Sequence, residues 1–256
     1  MIDSILAHIQ KSSKKGIKLL AILLDPDKTN LDEIPSISKR IETLKADFIF
    51  VGGSFIEKGS TDSFVKKLND HTQKPIILFP GDYSQVTNNA DALLFLSLIS
   101  GRNPEYLIEQ QIKSVPFLKN STLEIIPTGY ILIDGGTNSS VLKISKTTPI
   151  PQNNIELAVA TAIAGMYKGK QLIYLEAGSG AKIPVSLEII SEVKKNINIP
   201  LIIGGGIRSK KQLDNAYKYG AGAFYLPYLL ALFLVGIPVM IVELGLGSLT
   251  RRAFPP

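Results

Sequence analysis

Seven stretches of this chain are apolar almost without interruption: IKLLAILLD (17–25), ADFIFVGG (46–53), KPIILFPG (74–81), ADALLFLSLIS (90–100), LEIIPTGYILID (123–134), QLIYLEAG (171–178) and IPLIIGGG (199–206). A strand wetted on one face alternates apolar and polar residues, whereas near-continuous runs are what parallel strands buried on both faces require. Between them lie helix-like segments such as DEIPSISKRIETLK, NPEYLIEQQIKSV, NNIELAVATAIAGMYKG and SKKQLDNAYKYG. The last of these opens on Ser209, a good N-cap, and closes on Gly220. Seven βα units in series predict an α/β fold, a (β/α)8 TIM barrel, with a doubly wound open sheet as the competing arrangement. An eighth strand is expected to begin near Gly220. The 256 residues are nearly all used by one such barrel, and no long linker divides them. The start, MIDSILAHIQKSSKKG, has polar residues where a signal peptide needs an apolar stretch, and reads as a short amphipathic helix ending at Gly16.

Composition removes several chemistries. Without cysteine there is no disulfide, thiolate metal site or cysteine nucleophile, and a cytoplasmic address is expected. The two histidines, His8 and His71, are far apart, which argues against a histidine metal cluster or a serine-histidine triad. Any metal is then a hard cation held by oxygen. A net charge of +6 suits anionic partners, but the lysines are scattered with few aromatics among them. Phosphate or a membrane surface is therefore expected, and no nucleic acid.

Polar and glycine-rich residues collect at the C-terminal ends of the runs: DPDK, GGS, PGDYS, SGRNP, DGGTNSS, EAGSG and GGGIRS. In a barrel these ends share one rim, where active sites are built. GGG at 204–206, ahead of a helix capped by Ser209, exposes backbone N–H groups beside a positive helix end, and GSG at 178–180 offers a second cradle. Two cradles on neighbouring strands fit a phosphate. Asp25 ends an unbroken apolar strand at the barrel mouth, while Asp27 and Lys28 are expected to cap the next segment. Ser54 follows two glycines on the neighbouring strand, and with Asp25 it supplies two oxygen ligands for Mg2+, the remainder coming from substrate phosphates and water.

The blocks LLDPDK, VGGS, FPG, PTGYILIDGG, YLEAGSGA and IIGGGIRS, in that order, resemble the geranylgeranylglyceryl phosphate synthases and their bacterial heptaprenylglyceryl phosphate relatives over about residues 1–222. The resemblance implies a TIM-barrel prenyltransferase of lipid biosynthesis. It would join sn-glycerol 1-phosphate to a polyprenyl diphosphate through an ether bond, with magnesium. By position, Asp25 and Ser54 would bind the metal. Tyr174, Leu175, Glu176, Ala177, Gly178, Ser179 and Gly180, with Gly205 and Gly206, would hold glycerol phosphate. Glu176 would accept the proton of the attacking glycerol hydroxyl; the competing roles for it are capping the next helix or pairing with Arg208. Family members commonly associate, so a homo-oligomer is expected.

The chain departs from the family at the eighth strand. The valine-glycine-asparagine block that completes the family's phosphate cradle is replaced by GAGAFYLPYLLALFLVGIPVMIVELGLGSLTRRAFPP. Gly220 to Val242 is 23 residues without a charge, long enough to cross a bilayer, and the text is similar to the first-to-second helix region of sodium-coupled neurotransmitter-type symporters. The expected division is a barrel domain over 1–226 and an atypical apolar tail over 227–256, with AFYL (223–226) closing the barrel only partly before Pro227. Peripheral membrane contact through the tail is the corresponding expectation. Two other readings stand beside the prenyltransferase. One is a different phosphate-binding barrel such as a sugar-phosphate isomerase, with Asp134 opposing Glu176. The other is a catalytically impaired, membrane-associated chain with an open barrel.

Overall fold

The apolar runs become strands because each side of each run has somewhere dry to go. The computed structural model describes residues 4–53, 56 and 61–227. In it, the strands are β1 (Leu19–Leu24), β2 (Phe48–Val51), β3 (Ile76–Leu78), β4 (Ala92–Leu98), β5 (Glu124–Leu132), β6 (Leu172–Glu176), β7 (Leu201–Gly204) and β8 (Ala223–Pro227). All neighbours pair in parallel and the order β1 to β8 closes on itself. The helices are α1 (Ile5–Lys14), α2 (Ile34–Thr43), α3 (Thr61–Asn69), α4 (Gln110–Leu118), α5 (Ser140–Ser145), α6 (Ile155–Tyr167), α7 (Leu187–Asn196) and α8 (Lys210–Lys218). Side chains of Ser4, Ser139, Asn154, Ser186 and Ser209 accept hydrogen bonds from first-turn N–H groups of α1, α5, α6, α7 and α8. These caps satisfy donors that a helix leaves open at its start.

The two-residue period of the strands divides the core into two. Leu19, Ala21, Phe48, Phe50, Ile77, Leu94, Ile126, Tyr130, Leu172, Tyr174 and Ile202 fill the barrel. Their neighbours Ile22, Leu24, Ile49, Val51, Ile76, Ile131, Ile173, Leu175 and Ile203 pack outward with the helices. Complete burial of one such side chain contributes about 1.5–3 kcal/mol. Below the barrel, α1 sets Ile5 and Ile9 into the interior cluster. Glu124, the first residue of β5, accepts from Ser4 Oγ (2.7 Å) and from the N–H groups of Ile5 (2.6 Å) and Leu6 (3.0 Å). A carboxylate at a helix N-terminus meets both the open donors and the positive end of the dipole.

One expectation is corrected at the closure. The barrel is not left partly open: β8 pairs with β1 from Leu19↔Ala223 to Leu23↔Pro227, and with β7 at Ile202↔Ala223 and Ile203↔Phe224. Pro227 stands at the last position of the strand, in register with Leu23 of β1 and beyond the last β7 pair, as expected for proline at a strand end. The rest of the apolar tail, with its likeness to a symporter segment, lies outside the described residues. Among the described residues no helix is long and apolar enough to cross a membrane.

A seam opens on the opposite side of the barrel. β3 and β4 pair only at Ile77↔Ala92 and Leu78↔Leu93, so β4 runs on to Leu98 with no strand beside that edge among the described residues. Gln111 Nε2 donates to the carbonyl of Leu96, replacing a missing rung. The chain leading into α4 widens to a π-helical turn, Glu105–Glu109. Its Leu107 carbonyl accepts from Ser97 Oγ at 2.8 Å.

Candidate active site

Glu176 is the last residue of β6 and faces into the barrel, continuing the inward series Leu172, Tyr174. Only 4% of it is exposed. Its Oε2 accepts from Tyr174 Oη at 3.0 Å and its Oε1 from the N–H of Gly178 at 2.6 Å. Burial pushes its pKa from 4.5 to about 7, and the hydrogen bonds from Gly178 and Tyr174 only partly offset this. A carboxyl near neutrality, in a dry site with its orientation set by two donors, is suited to proton transfer. The two competing roles fall away: α7 is capped by Ser186, and the Arg208 guanidinium donates to the carbonyl of Ala181 at 2.9 Å.

The glycines make room for this carboxylate. Gly204 is its register partner on β7. Gly205 has φ +77°, and a Cβ there would sit 2.4 Å from Glu176 Oε1. Gly206, at φ +73°, would bring a Cβ within 2.8 Å of Pro184. Both positions therefore exclude any side chain twice over, by conformation and by space. Among the described residues, the N–H groups of Ser179, Gly180, Gly205 and Gly206 meet no acceptor. Those of Gly205 and Gly206 precede the N-terminus of α8, which leaves backbone donors beside the positive end of a helix. One detail differs from expectation: Gly178 contributes its N–H to Glu176, not to the cradle. Leu175 and Ala177 point away from the barrel into the helix layer, which confines any contact of theirs with substrate to the backbone.

Across the rim, Asp25 follows β1 with its side chain 16% exposed. Its Oδ1 accepts from the N–H of Asp27 at 3.1 Å and its Oδ2 pairs with Lys28 Nζ at 2.5 Å. The expected capping by Asp27 and Lys28 is thus replaced: both bind back to Asp25, and Asn30 caps the next turn through the N–H of Asp32. Gly53 lies against Asp25, where a Cβ would stand 3.0 Å from Oδ1. Ser54 lies outside the described residues. Among the described residues no group of three or more acidic or histidine side chains gathers to hold a metal. The chemistry of the site therefore fits a hard cation only if most of its oxygens come from substrate and water, with Asp25 as the protein's carboxylate. Asp134 is no partner for Glu176: it is exposed and its Oδ1 accepts from the N–H of Gly136 at 2.8 Å in a local turn.

The seam between β3 and β4 is a feature that no residue pattern announced. It holds a cavity of about 120 Å3, partly open to solvent and lined mainly by apolar side chains of the β3 loop, β4 and α4 together with Tyr130. Tyr130 stacks on Tyr174 with ring centres 5.2 Å apart, and Phe79 packs on both. Two residues that line the groove, Phe79 and Tyr130, thus pack on the ring whose hydroxyl holds Glu176.

Residues 14–224 match the model of the PcrB family. The chain belongs to the PcrB family. Within it, the chain is 55% identical over 217 residues to the geranylgeranylglyceryl phosphate synthase of Zunongwangia profunda, covering 85% of this chain and 92% of that one. It is 40% identical over 213 residues to the synthase of the same name from Pyrococcus furiosus, covering 83% of each. Among solved structures, (S)-3-O-geranylgeranylglyceryl phosphate synthase of Thermoplasma acidophilum superposes with a TM-score of 0.84 at 30% identity, covering 90% of this chain and 92% of that one. That PcrB relative was solved with sn-glycerol-1-phosphate as substrate. None of these relationships supports the symporter likeness of the tail.

Proposed function

We propose that this chain is a prenyltransferase that joins sn-glycerol 1-phosphate to a polyprenyl diphosphate of geranylgeranyl type through an ether bond, releasing diphosphate. The observation that carries this reading is the setting of Glu176, a buried carboxyl with a pKa raised to about 7: backbone N–H groups on neighbouring turns lie beside it, and the Tyr174 ring that holds it packs on two residues of the apolar groove, Phe79 and Tyr130. A polar phosphate and a long hydrocarbon are thereby directed to one proton acceptor. The relatives named above carry the same activity in their names.

In the reaction, N–H groups of Ser179, Gly180, Gly205 and Gly206 hold the phosphate, and the prenyl chain lies in the groove beside Tyr130. Glu176 takes the proton of the glycerol hydroxyl as its oxygen forms a bond to the first prenyl carbon. The bond from that carbon to the diphosphate oxygen breaks, and its electron pair leaves with the diphosphate. Tyr174 and the N–H of Gly178 keep the carboxylate aimed. Asp25, with Ser54, would hold magnesium, which when bound neutralises charge on the leaving diphosphate. Lys28 neutralises Asp25 until then. Oligomerisation and contact with a membrane surface belong to the same proposal, the latter as a source of the lipid substrate.

The test is incubation of purified protein with sn-glycerol 1-phosphate and geranylgeranyl diphosphate, with magnesium or with a chelator, and detection of the ether product by mass spectrometry. Product only with magnesium is expected. Isomerisation of a sugar phosphate without ether formation would establish the competing barrel reading.

A further inference from the structure

Gln85 carries no motif and sits on no strand, yet only 2% of it is exposed. It ends the short 3-10 turn Tyr83–Gln85 after β3, a turn opened by Asp82, whose side chain accepts from the N–H of Ser84. Among the described residues, its three side-chain hydrogen bonds all go to the backbone of two glycines: Oε1 accepts from Gly53 (3.3 Å) and Gly81 (3.2 Å), and Nε2 donates to the carbonyl of Gly53 (2.9 Å).

Those glycines stand where the β2–β3 ladder has run out. Its last register pair is Val51↔Leu78, followed by one bond from the N–H of Phe79 to the carbonyl of Val51. Next, Gly52 lets the chain pass the carbonyl of Phe79, which would lie 2.0 Å from any Cβ. From there the two loops diverge, and the Gln85 amide bridges them. Gly53 backs directly on the Asp25 carboxylate, and both Gly53 and Gly81 line the apolar groove.

We infer that Gln85 is a positioning residue that sets the distance between the Asp25 carboxylate and the mouth of the groove, so that one prenyl diphosphate reaches both. An amide is needed because one end must accept twice and the other must donate. Glutamate keeps the acceptors and turns the donor into an oxygen facing the Gly53 carbonyl; methionine keeps the length and removes all three bonds. The inference rests on the proposed function, which assigns Asp25 and the groove to the same substrate.

Its test uses full-length Gln85→Met and Gln85→Glu beside the parent protein. Four quantities are read: KM for geranylgeranyl diphosphate, Mn2+ binding by electron paramagnetic resonance with inorganic pyrophosphate as probe, sn-glycerol 1-phosphate affinity by calorimetry, and the melting temperature. Loss of the bridge is expected to raise the KM for geranylgeranyl diphosphate by about tenfold and to weaken Mn2+ binding by about fivefold, with glycerol-phosphate affinity within about twofold of the parent. The last is spared because its cradles belong to β6 and β7. Unchanged KM and Mn2+ binding in a folded variant overturns the inference. So does a parallel fall in glycerol-phosphate affinity, or failure of both variants to fold, because Gln85 would then support the barrel as a whole. Unchanged Mn2+ binding in Asp25→Asn would instead refute the metal assignment of the proposed function.

Discussion

Replacing Glu176 by glutamine removes one ionisation from the interior, and its effect on stability has a definite sign. In the folded chain the carboxyl titrates at about 7, against 4.5 for the ordinary value that an unfolded chain retains. Below 4.5 both states are protonated and burial of the neutral group has no ionisation cost. As pH rises from 4.5 towards 7 the unfolded chain releases its proton while the folded chain keeps it, so stability falls. Above 7 the folded carboxyl is ionised too and the loss is complete. At 1.36 kcal/mol per pH unit, the gap between the two values corresponds to a total of about 3 kcal/mol, most of which falls between pH 5 and pH 8. Glutamine is neutral throughout and keeps an acceptor for the N–H of Gly178. Urea unfolding of parent and Glu176→Gln at the two pH values should therefore show the variant gaining about 2 kcal/mol on the parent from pH 5 to pH 8. All other titrating groups are common to both proteins and cancel. A stability difference independent of pH would refute the reasoning, because the carboxyl would then not be held neutral by burial. The same substitution should lower turnover by about a hundredfold with little change in glycerol-phosphate affinity.

For the parent enzyme, kcat/KM should rise with pH through about 7 as Glu176 ionises, and a profile flat from pH 5.5 to 8 would remove it as the base. Asp25→Asn should abolish most ether formation and Asp27→Asn much less; equal losses in a steady-state assay would undo the assignment. Gly205→Ala drives a Cβ into the Glu176 carboxylate and should cut activity by about a hundredfold, whereas Gly180→Ala, with open space but a positive φ, should cost only about 1 kcal/mol of stability. Without the family's glycine-asparagine block, glycerol phosphate should bind about 3 kcal/mol more weakly than to the relatives, which calorimetry on this chain and a relative would measure. A chain ending at Pro227 should match full-length protein in melting temperature and activity, since every rung of β8 is retained.

The barrel was legible because parallel strands buried on both faces leave little choice of residue, and Glu176 because a carboxylate between Leu175 and a run of small residues has no surface to reach. Gly205 and Gly206 could be read as a cradle, but not as the space around Glu176, since that depends on the approach of β6 to β7. The lone Gln85 has no local signal, because its partners lie 32 and 4 residues away in two different loops. The groove was equally hidden: it results from β3 stopping at Leu78 while β4 continues to Leu98, a difference of lengths and not of residue types. The role of Lys28 was not legible because its ammonium pairs with Asp25, three residues behind it, and not with the helix ahead.

The bond network between Ser4 and Glu124 spans 120 positions of the chain, and this has a bearing on how the protein is made. A ribosome adding about 5–20 residues per second exposes α1 many seconds before Glu124 exists to hold it. For that time Ile5 and Ile9 have no barrel floor to enter, and the strand that borders β1 on its far side, β8, comes later still. The first segment synthesised is thus among the last to dock. Nascent chains stalled before β5 should be readily cleaved by protease near α1, and protection there should emerge abruptly once Glu124 has left the tunnel.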